Sequence, residues 1–129
     1  MADTEATIAS PPTDPEVAPF HAAANAGKLL VGRCTACGEA HYYPRRHCPF
    51  CFGDTTWEEA AGSGTVYSYT VLRRGKPPYV QAYVKLAEGP LMLTRIVDAA
   101  FEDVAIGKPV RVVFRPAANG QAVPFFTLA

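Results

Sequence analysis

Residues 34–53, CTACGEAHYYPRRHCPFCFG, contain every cysteine of the 129-residue chain. The cysteines form two C-x2-C pairs separated by ten residues. Two pairs of this kind place four thiolates on two tight turns, where the sulfurs can converge on one tetrahedral metal ion. The spacing therefore predicts a zinc ribbon. Its predicted ligands are Cys34, Cys37, Cys48 and Cys51.

Two glycines and two histidines near the cysteines complete this interpretation. Gly38 and Gly53 follow the two pairs, where a chain that turns around a metal often needs a positive φ angle. His41 and His47 lie between the pairs, but four cysteines already complete a tetrahedron, so we expect both histidines on the surface. With no open coordination position, the zinc is expected to fold the protein and to do no chemistry.

Two other uses of the cysteines remain open at this point. The four thiols can form two disulfides, or one pair can be a redox C-x-x-C motif. A redox protein more usually carries one such pair within a βαβ pattern, which this sequence lacks. The zinc interpretation is therefore preferred.

The charge balance limits the classes of partner. Twelve Lys and Arg residues balance twelve Asp and Glu residues, so no global field attracts nucleic acid or an anionic membrane. The first residues lack a basic region followed by an apolar core, and no apolar run is long enough to cross a bilayer, so we expect neither a leader peptide nor a membrane span. Thiols kept for a metal suit a reducing compartment, and the predicted location is cytoplasmic.

The N-terminal part divides into a tail and a helix. Residues 1–13 are small, polar and rich in proline, and we expect a disordered tail. A short helix with proline in its first turn then ends at Gly27. Its face with Phe20, Ala23 and Ala24 can dock on its own domain or on a partner chain, and both alternatives stay open. Residues 14–61 are predicted to form one unit, in which Trp57 closes the ribbon.

The second predicted unit covers residues 62–129. Gly62-Ser63-Gly64 is interpreted as a flexible joint, after which the apolar residues alternate with period two. Five strands and a helical turn between the third and fourth match an OB-fold barrel, and the predicted fold class is mainly β. The predicted strands are Thr65–Leu72, Tyr79–Leu86, Leu91–Val97, Val110–Arg115 and Ala122–Thr127.

The order of helix, ribbon and barrel resembles a known family. Further shared stretches are Gly27-Lys28-Leu29, Pro44-Arg45 before Cys48, residues 64–71, Pro78-Tyr79-Val80 and residues 106–110. The chain resembles the acyl-CoA-associated family of small proteins with a rubredoxin-like zinc ribbon followed by an OB-fold. The resemblance implies a non-catalytic accessory subunit of a thiolase-like enzyme, of thiolase or aldolase type, that shares acyl-CoA with its partner. The sequence itself agrees with a non-catalytic role, because we recognise no arrangement of acid–base or nucleophilic residues in it.

Two sets of residues are predicted to serve such a function. The loop with Arg73, Arg74 and Lys76 is a candidate for the phosphates of CoA, although a solvated loop explains it equally well. A second set is the candidate partner interface, since tyrosine and arginine are typical interface anchors. It comprises Phe20, Tyr42, Tyr43, Arg45 and Arg46.

The main rival function is binding of single-stranded nucleic acid. Tyr67, Tyr69 and Tyr83 on barrel strands can stack bases, and zinc ribbons also occur in such proteins. The zero net charge argues against this function, because single-strand binders usually carry a strongly positive groove. An autonomous hydratase or thioesterase is disfavoured by the missing acid–base groups.

Overall fold

The computed structural model describes residues 8–12, 14–43, 45–74 and 77–129, and this part of the chain is mainly β. A helix and three strands come first, and five longer strands follow. The elements are α1 Ala18–Asn25, β1 Leu30–Cys34, β2 Ala40–His41, β3 Thr55–Glu59, β4 Ser63–Leu72, β5 Tyr79–Leu86, β6 Leu91–Ile96, β7 Pro109–Pro116 and β8 Ala122–Leu128. A 3-10 helix at Phe101–Asp103 separates β6 from β7.

The ribbon is a small antiparallel sheet with the strand order β2-β1-β3. Its register runs from Leu30 opposite Glu59 to Cys34 opposite Thr55. The first metal-binding turn follows β1 directly, and the second lies between β2 and β3. The sheet therefore holds both turns at one end.

The last five strands form a closed barrel in the order β4-β5-β6-β8-β7. β7 returns to pair with the start of β4, and β6 meets β8 in parallel. The predicted alternation is confirmed on β5, where Val80, Ala82, Val84 and Leu86 are all buried. Five strands with a helical turn between the third and fourth confirm the OB-fold.

The helix docks on its own chain. Asp14 accepts hydrogen bonds from the backbone N–H groups of Glu16 and Val17 just before α1 begins, and Gly27 with φ of 81° follows its end. Phe20 and Ala24 form the buried face of the helix. Asn25 accepts a hydrogen bond of 3.0 Å from the backbone N–H of Ala122, which fixes the helix to the barrel.

The ribbon and the barrel share one hydrophobic core, and the expectation of a flexible joint was wrong. Leu29 and Val31 of the ribbon belong to the same buried cluster as Val66 of the barrel. The carbonyl of Gly62 accepts a hydrogen bond of 2.7 Å from Val112. A Cβ at Gly64 would lie 2.5 Å from the backbone oxygen of Lys85, so this glycine permits close strand packing.

The expected disordered tail is only partly described. Residues 1–7 and 13 lie outside the described residues. The carbonyl of Ile8 accepts a hydrogen bond from Ala118, and the hydroxyl of Ser10 accepts one from Asn119. These contacts place residues 8–12 against the β7–β8 turn. Within the described ranges, no helix has the length and apolar character needed to cross a membrane.

Candidate metal centre and adjoining surfaces

The four cysteine sulfurs converge at one end of the ribbon, as the spacing predicted. All four lie within 4.8 Å of one another. The sulfurs of Cys34 and Cys51 are 3.4 Å apart, and those of Cys37 and Cys48 are 3.7 Å apart. Four thiolates about 2.3 Å from a tetrahedral zinc ion are separated by roughly 3.8 Å, so the set fits such an ion. Neither pair forms a disulfide.

The two metal-binding turns have matching backbone hydrogen bonds. The backbone carbonyl of Cys34 accepts a hydrogen bond of 3.1 Å from the N–H of Gly38. The carbonyl of Cys48 likewise accepts one of 2.9 Å from the N–H of Phe52. The N–H groups of Ala36 and Phe50 point at the sulfurs of the first cysteine in each turn, both at 3.3 Å. These donors stabilise thiolate charge on the buried cysteines.

In the second turn, a phenylalanine adopts the left-handed backbone conformation that a glycine adopts in the first. Gly38 has φ of 79°, as predicted, and Phe52 occupies the matching position with φ of 68°. The expectation of a positive φ at Gly53 was wrong. A Cβ on Gly53 would lie 2.9 Å from the Cβ of Ala36 and 3.2 Å from the sulfur of Cys34, so this glycine provides space beside the metal ligands.

The thiols differ in acidity because of these contacts. The N–H of Cys37, followed by that of Ala36, lowers the pKa of Cys34 from 9.0 to about 6, against the opposing effect of burial. The N–H of Glu39 acts to lower the pKa of Cys37, but burial and the neighbouring sulfurs raise it to about 12. The first thiolate therefore forms easily, while the next one needs a cation for compensation.

Around the centre, Arg33 joins two strands and the first turn. Its guanidinium donates to the carboxylate of Glu58 on β3 at 2.7 Å and to the carbonyl of Gly38 at 2.7 Å. The hydrogen bond from Arg33, together with its charge, lowers the pKa of Glu58. Both side chains are more than one-third exposed, so the pair contributes orientation more than stability.

His41 is buried, which corrects its expected surface position. It lies opposite Gly32 in the β1–β2 pair and is only 5% exposed. A Cβ at Gly32 would lie 2.3 Å from His41 Nε2, so the glycine makes room for the imidazole ring. Burial, followed by the charge of Arg45, lowers the pKa of His41. His47 is exposed, as expected. Trp57 is partly buried and packs against the core of the ribbon and barrel.

The predicted interface residues divide into buried and exposed members. Phe20 is 4% exposed and packs in the core, so its ring presents no free surface. Tyr42 packs edge-on against Phe20 at 6.0 Å, and burial raises its pKa to about 12. Tyr43, Arg45 and Arg46 are exposed. The predicted interface residues that are exposed therefore all lie in the segment between the two cysteine pairs, at residues 43–46.

The backbone fixes this loop. The carboxylate of Glu16 accepts a hydrogen bond of 2.8 Å from the N–H of Arg46. The hydroxyl of Thr55 donates to the carbonyl oxygens of Arg45 and Arg46 at 2.7 Å and 3.1 Å. The two arginine side chains consequently extend from an ordered backbone. Pro44 lies outside the described residues.

Two further aromatic residues extend this surface. Phe50 is 67% exposed and Phe52 is 77% exposed, both on the second metal-binding turn. The ring of Phe52 stacks on His47, with centroids 4.9 Å apart. We name the exposed surface the ribbon face. It consists of Tyr43, Arg45, Arg46, Phe50 and Phe52. The sequence prediction missed both phenylalanines, although a comparison of the two turns shows Phe52 where the first has glycine.

The predicted CoA loop is only partly described. Arg73 and Arg74 are exposed between β4 and β5, and Lys76 lies outside the described residues. The guanidinium of Arg73 lies 5.8 Å from the ring centroid of Phe101. The three tyrosines of the nucleic-acid alternative, Tyr67, Tyr69 and Tyr83, are all exposed on the barrel. Among the described residues, the cysteines are the one group of three or more potential metal ligands that converge.

Comparison with known proteins identifies the family. A model of the rubredoxin-like zinc ribbon domain of ChsH2 matches residues 21–58, and a model of its C-terminal OB-fold domain matches residues 57–115. The chain belongs to the ChsH2 family. A "DUF35 domain-containing scaffold protein" of Methanocaldococcus jannaschii is 40% identical over 95 residues, which cover 67% of each protein.

Two other proteins of this family extend the comparison. The solved structure entitled "Ltp2-ChsH2(DUF35) aldolase" contains a chain that is 34% identical, with a TM-score of 0.80 over 92% of this chain and 98% of that chain. A protein of Thermomonospora curvata named "Probable enoyl-CoA hydratase alpha subunit" is 37% identical over 111 residues. That alignment covers 81% of this chain and 34% of the relative, so the chain spans about a third of the relative's length.

Proposed function

We infer that the chain is a non-catalytic accessory subunit that docks on a thiolase-like enzyme of thiolase or aldolase type. The similarity to nearly the whole of one chain in the structure entitled "Ltp2-ChsH2(DUF35) aldolase" is the observation that carries this inference. The scaffold name of the archaeal relative supports it as well. The described residues are consistent with it, because the four converging cysteines are suited to a metal, and thiolates bound to a metal are not available as nucleophiles for a substrate.

We assign the metal as zinc. Four thiolates with tetrahedral spacing suit zinc, and the matching ribbon family supports the same ion. The four cysteines would hold the ion with no position open to substrate. When bound, zinc supplies structural cross-linking between the two turns. The ribbon face would then be held in one arrangement.

We assign the ribbon face as the docking surface. It combines three exposed aromatic rings with two arginines on an ordered backbone, which is the chemistry that dominates protein interfaces. A complementary partner surface has an apolar recess bordered by carboxylates. The subunit would assist the enzyme by completing the wall of the acyl-CoA channel and by fixing its partner's conformation. Arg73, Arg74 and Lys76 would meet the CoA phosphates at that channel.

Co-expression with a thiolase-like enzyme tests the assignment. We expect the two chains to co-purify, and we expect turnover of acyl-CoA only when both are present. The chain alone is assayed for thiolysis, retro-aldol cleavage, hydration and thioester hydrolysis. Turnover by the purified chain that follows its own concentration would refute the accessory assignment, as would failure to bind any thiolase-like enzyme encoded near it.

Variants of the two sites separate docking from CoA binding. Tyr43→Ala with Arg45→Ala is expected to weaken assembly by about 2 kcal/mol or more at unchanged metal content, because aromatic and arginine anchors dominate interface energy. Arg73→Gln with Arg74→Gln is expected to raise the KM for acyl-CoA and to leave assembly intact. Size-exclusion chromatography and steady-state kinetics distinguish the two results.

An enoyl-CoA hydratase is a second candidate partner. The observation that favours it is the T. curvata relative, of which this chain corresponds to about a third. Co-purification with a hydratase-like chain, without any thiolase-like chain, would support this alternative.

A further inference from the structure

The outer face of β5 and β6 carries two cationic residues, Lys85 and Arg95. Residues 60–97 contain a single acidic residue, Glu88. One carboxylate oxygen of Glu88 accepts a hydrogen bond of 2.8 Å from Ala61, so this acid serves the junction with the ribbon. The ring of Tyr83 is exposed on this face, whereas Tyr69 pairs with the inward-facing Ala82 and lies on the opposite face of the sheet. Cations beside exposed aromatic rings are the chemistry that binds phosphates together with flat bases.

Arg95 has a distinctive position on this face. Its guanidinium lies 3.9 Å from the ring centroid of Tyr79 and 5.4 Å from that of Phe125. Stacking on rings uses the faces of the guanidinium and leaves its N–H edge available. Within the described ranges, no carboxylate lies at ion-pair distance from Arg95. The side chain is half-buried, so its position is restricted.

Two neighbouring recesses connect Arg95 with the exposed ring of Tyr83. The first has a volume of about 200 Å³ and is lined by Tyr79, Arg95 and Phe125, with Gln81 and Leu93 at its edge. The second has a volume of about 230 Å³ and also includes Gln81 and Leu93. Tyr83 supplies its exposed aromatic ring. Each recess is below the roughly 300 Å³ typical of small-ligand pockets, but the two together exceed it.

We propose that Arg95 binds the phosphate of a nucleotide whose base stacks on Tyr83 in the adjoining recess. The N–H edge of Arg95 matches two phosphate oxygens, and Gln81 lines both recesses. β5 and β6 are the second and third strands of the barrel, and this face is the one on which OB-folds bind oligonucleotides and oligosaccharides.

Two sources share this chemistry, namely CoA, which carries an adenine base and phosphates, and a single-stranded nucleic acid. The choice of CoA rests on the proposed function, whereas the site itself rests on Arg95 and the two recesses. CoA carries a diphosphate and a separate 3′-phosphate, so a molecule whose nucleotide end lies on Arg95 can still present its other phosphates to the Arg73 loop proposed above. Its acyl end would remain free for the partner enzyme.

Calorimetric titration of the full metal-loaded chain tests the site. The probes are coenzyme A, inorganic phosphate and single-stranded oligothymidylate. We expect CoA to bind at least about tenfold more tightly than phosphate, because base stacking adds to the phosphate contact. Arg95→Gln is expected to weaken CoA binding about tenfold or more, because it removes a charged hydrogen-bond donor.

Two matched variants control for general charge and aromatic content. Arg111→Gln removes an exposed arginine on β7, and Tyr67→Leu removes an exposed tyrosine that lines neither recess. Both are expected to bind CoA as the wild type does. Tyr83→Leu is expected to weaken CoA binding about fivefold or more. Metal content and thermal unfolding are measured for every variant, which separates lost binding from lost folding.

The outcomes distinguish this site from the proposed function. Wild-type protein that binds none of the probes, or equal binding by the Arg95→Gln and Arg111→Gln variants, would overturn the site. Tighter binding of oligothymidylate through Arg95 and Tyr83, with a steep salt dependence, would support the site and identify nucleic acid as its source. Assembly with the thiolase-like partner is measured separately, and the Arg95→Gln variant is expected to assemble normally.

Discussion

Phe52→Gly should leave the fold as stable as the wild type or more stable, and should weaken docking. Phe52 has φ of 68°, and a residue with a Cβ in the left-handed region costs about 1–2 kcal/mol. Its side chain is 77% exposed, so its removal sacrifices little core packing. The lost contact is the stack on His47 at 4.9 Å, worth about 0.5–1.5 kcal/mol. The difference between the two ranges runs from about −0.5 to 1.5 kcal/mol, and their midpoints favour the glycine variant by about 0.5 kcal/mol.

Gly38→Ala is the matched control for this prediction. Gly38 occupies the same position of the first turn with φ of 79°, and a Cβ there would meet nothing within 4 Å. The alanine variant should therefore lose about 1 kcal/mol or more through backbone strain alone. For a domain of this size, 1 kcal/mol shifts the Tm by roughly 3–5 °C.

Thermal unfolding of the metal-loaded variants, chelator resistance and partner affinity are measured together. We expect Phe52→Gly to keep its Tm and metal while its affinity for the partner falls by about 1 kcal/mol or more. A Tm that falls well below the wild type in Phe52→Gly would show that the ring stabilises the fold. That result, or unchanged stability in Gly38→Ala, would refute the reasoning.

Three further predictions concern the metal, the ionisation of Tyr42 and the junction. Cys48→Ser should lose the metal and unfold at a lower Tm in one cooperative transition, because Leu29 and Val31 of the ribbon belong to the barrel core. Mass spectrometry measures the metal and calorimetry the unfolding, and two separate transitions would contradict this prediction. Burial raises the pKa of Tyr42 from 10.0 to about 12, so the contribution of the neutral phenol to stability is complete below pH 10 and is lost between pH 10 and 12. Denaturant unfolding across that range should show a smaller loss of unfolding free energy in Tyr42→Phe than in the wild type. Parallel plots of unfolding free energy against pH for the two proteins would count against this prediction. Gly64→Ala should lower the free energy of unfolding by about 2 kcal/mol or more, because its Cβ would lie 2.5 Å from the backbone oxygen of Lys85. Gly27→Ala has open space around its Cβ but a positive φ, and should lower it by about 1 kcal/mol. Equal denaturation midpoints for the two variants would disprove the difference.

The sequence predicts the ligand set and the strands because both depend on short-range geometry. Two residues between paired cysteines bring two sulfurs to one turn, and alternating apolar residues give a strand one buried face. These rules place the four cysteines and the buried face of β5 correctly. The position of Gly53 differs because a second constraint, the closeness of Ala36 and Cys34, is invisible in the sequence.

Features that depend on distant residues escape prediction. His41 is buried because Gly32 lies opposite it across two strands, which leaves room for the ring. Arg95 stacks on Phe125, thirty residues further along the chain, only because the barrel brings β6 beside β8. The Gly62-Ser63-Gly64 segment resembles a linker in composition, but its glycines allow two packed sheets to meet. Composition alone does not distinguish flexible glycines from closely packed ones.

The shared core explains how a metal without open coordination positions can influence function. A metal held by the four cysteines would fix the two turns, and the second turn carries Phe50 and Phe52 of the ribbon face. β1 connects the turns to Val31 in the barrel core, while Glu16 and Thr55 fix the backbone of Arg46. The proposed docking surface therefore has a fixed position relative to the barrel and its Arg95 recess. An accessory subunit of this kind can position a ligand for its partner, because docking and ligand binding use one rigid framework.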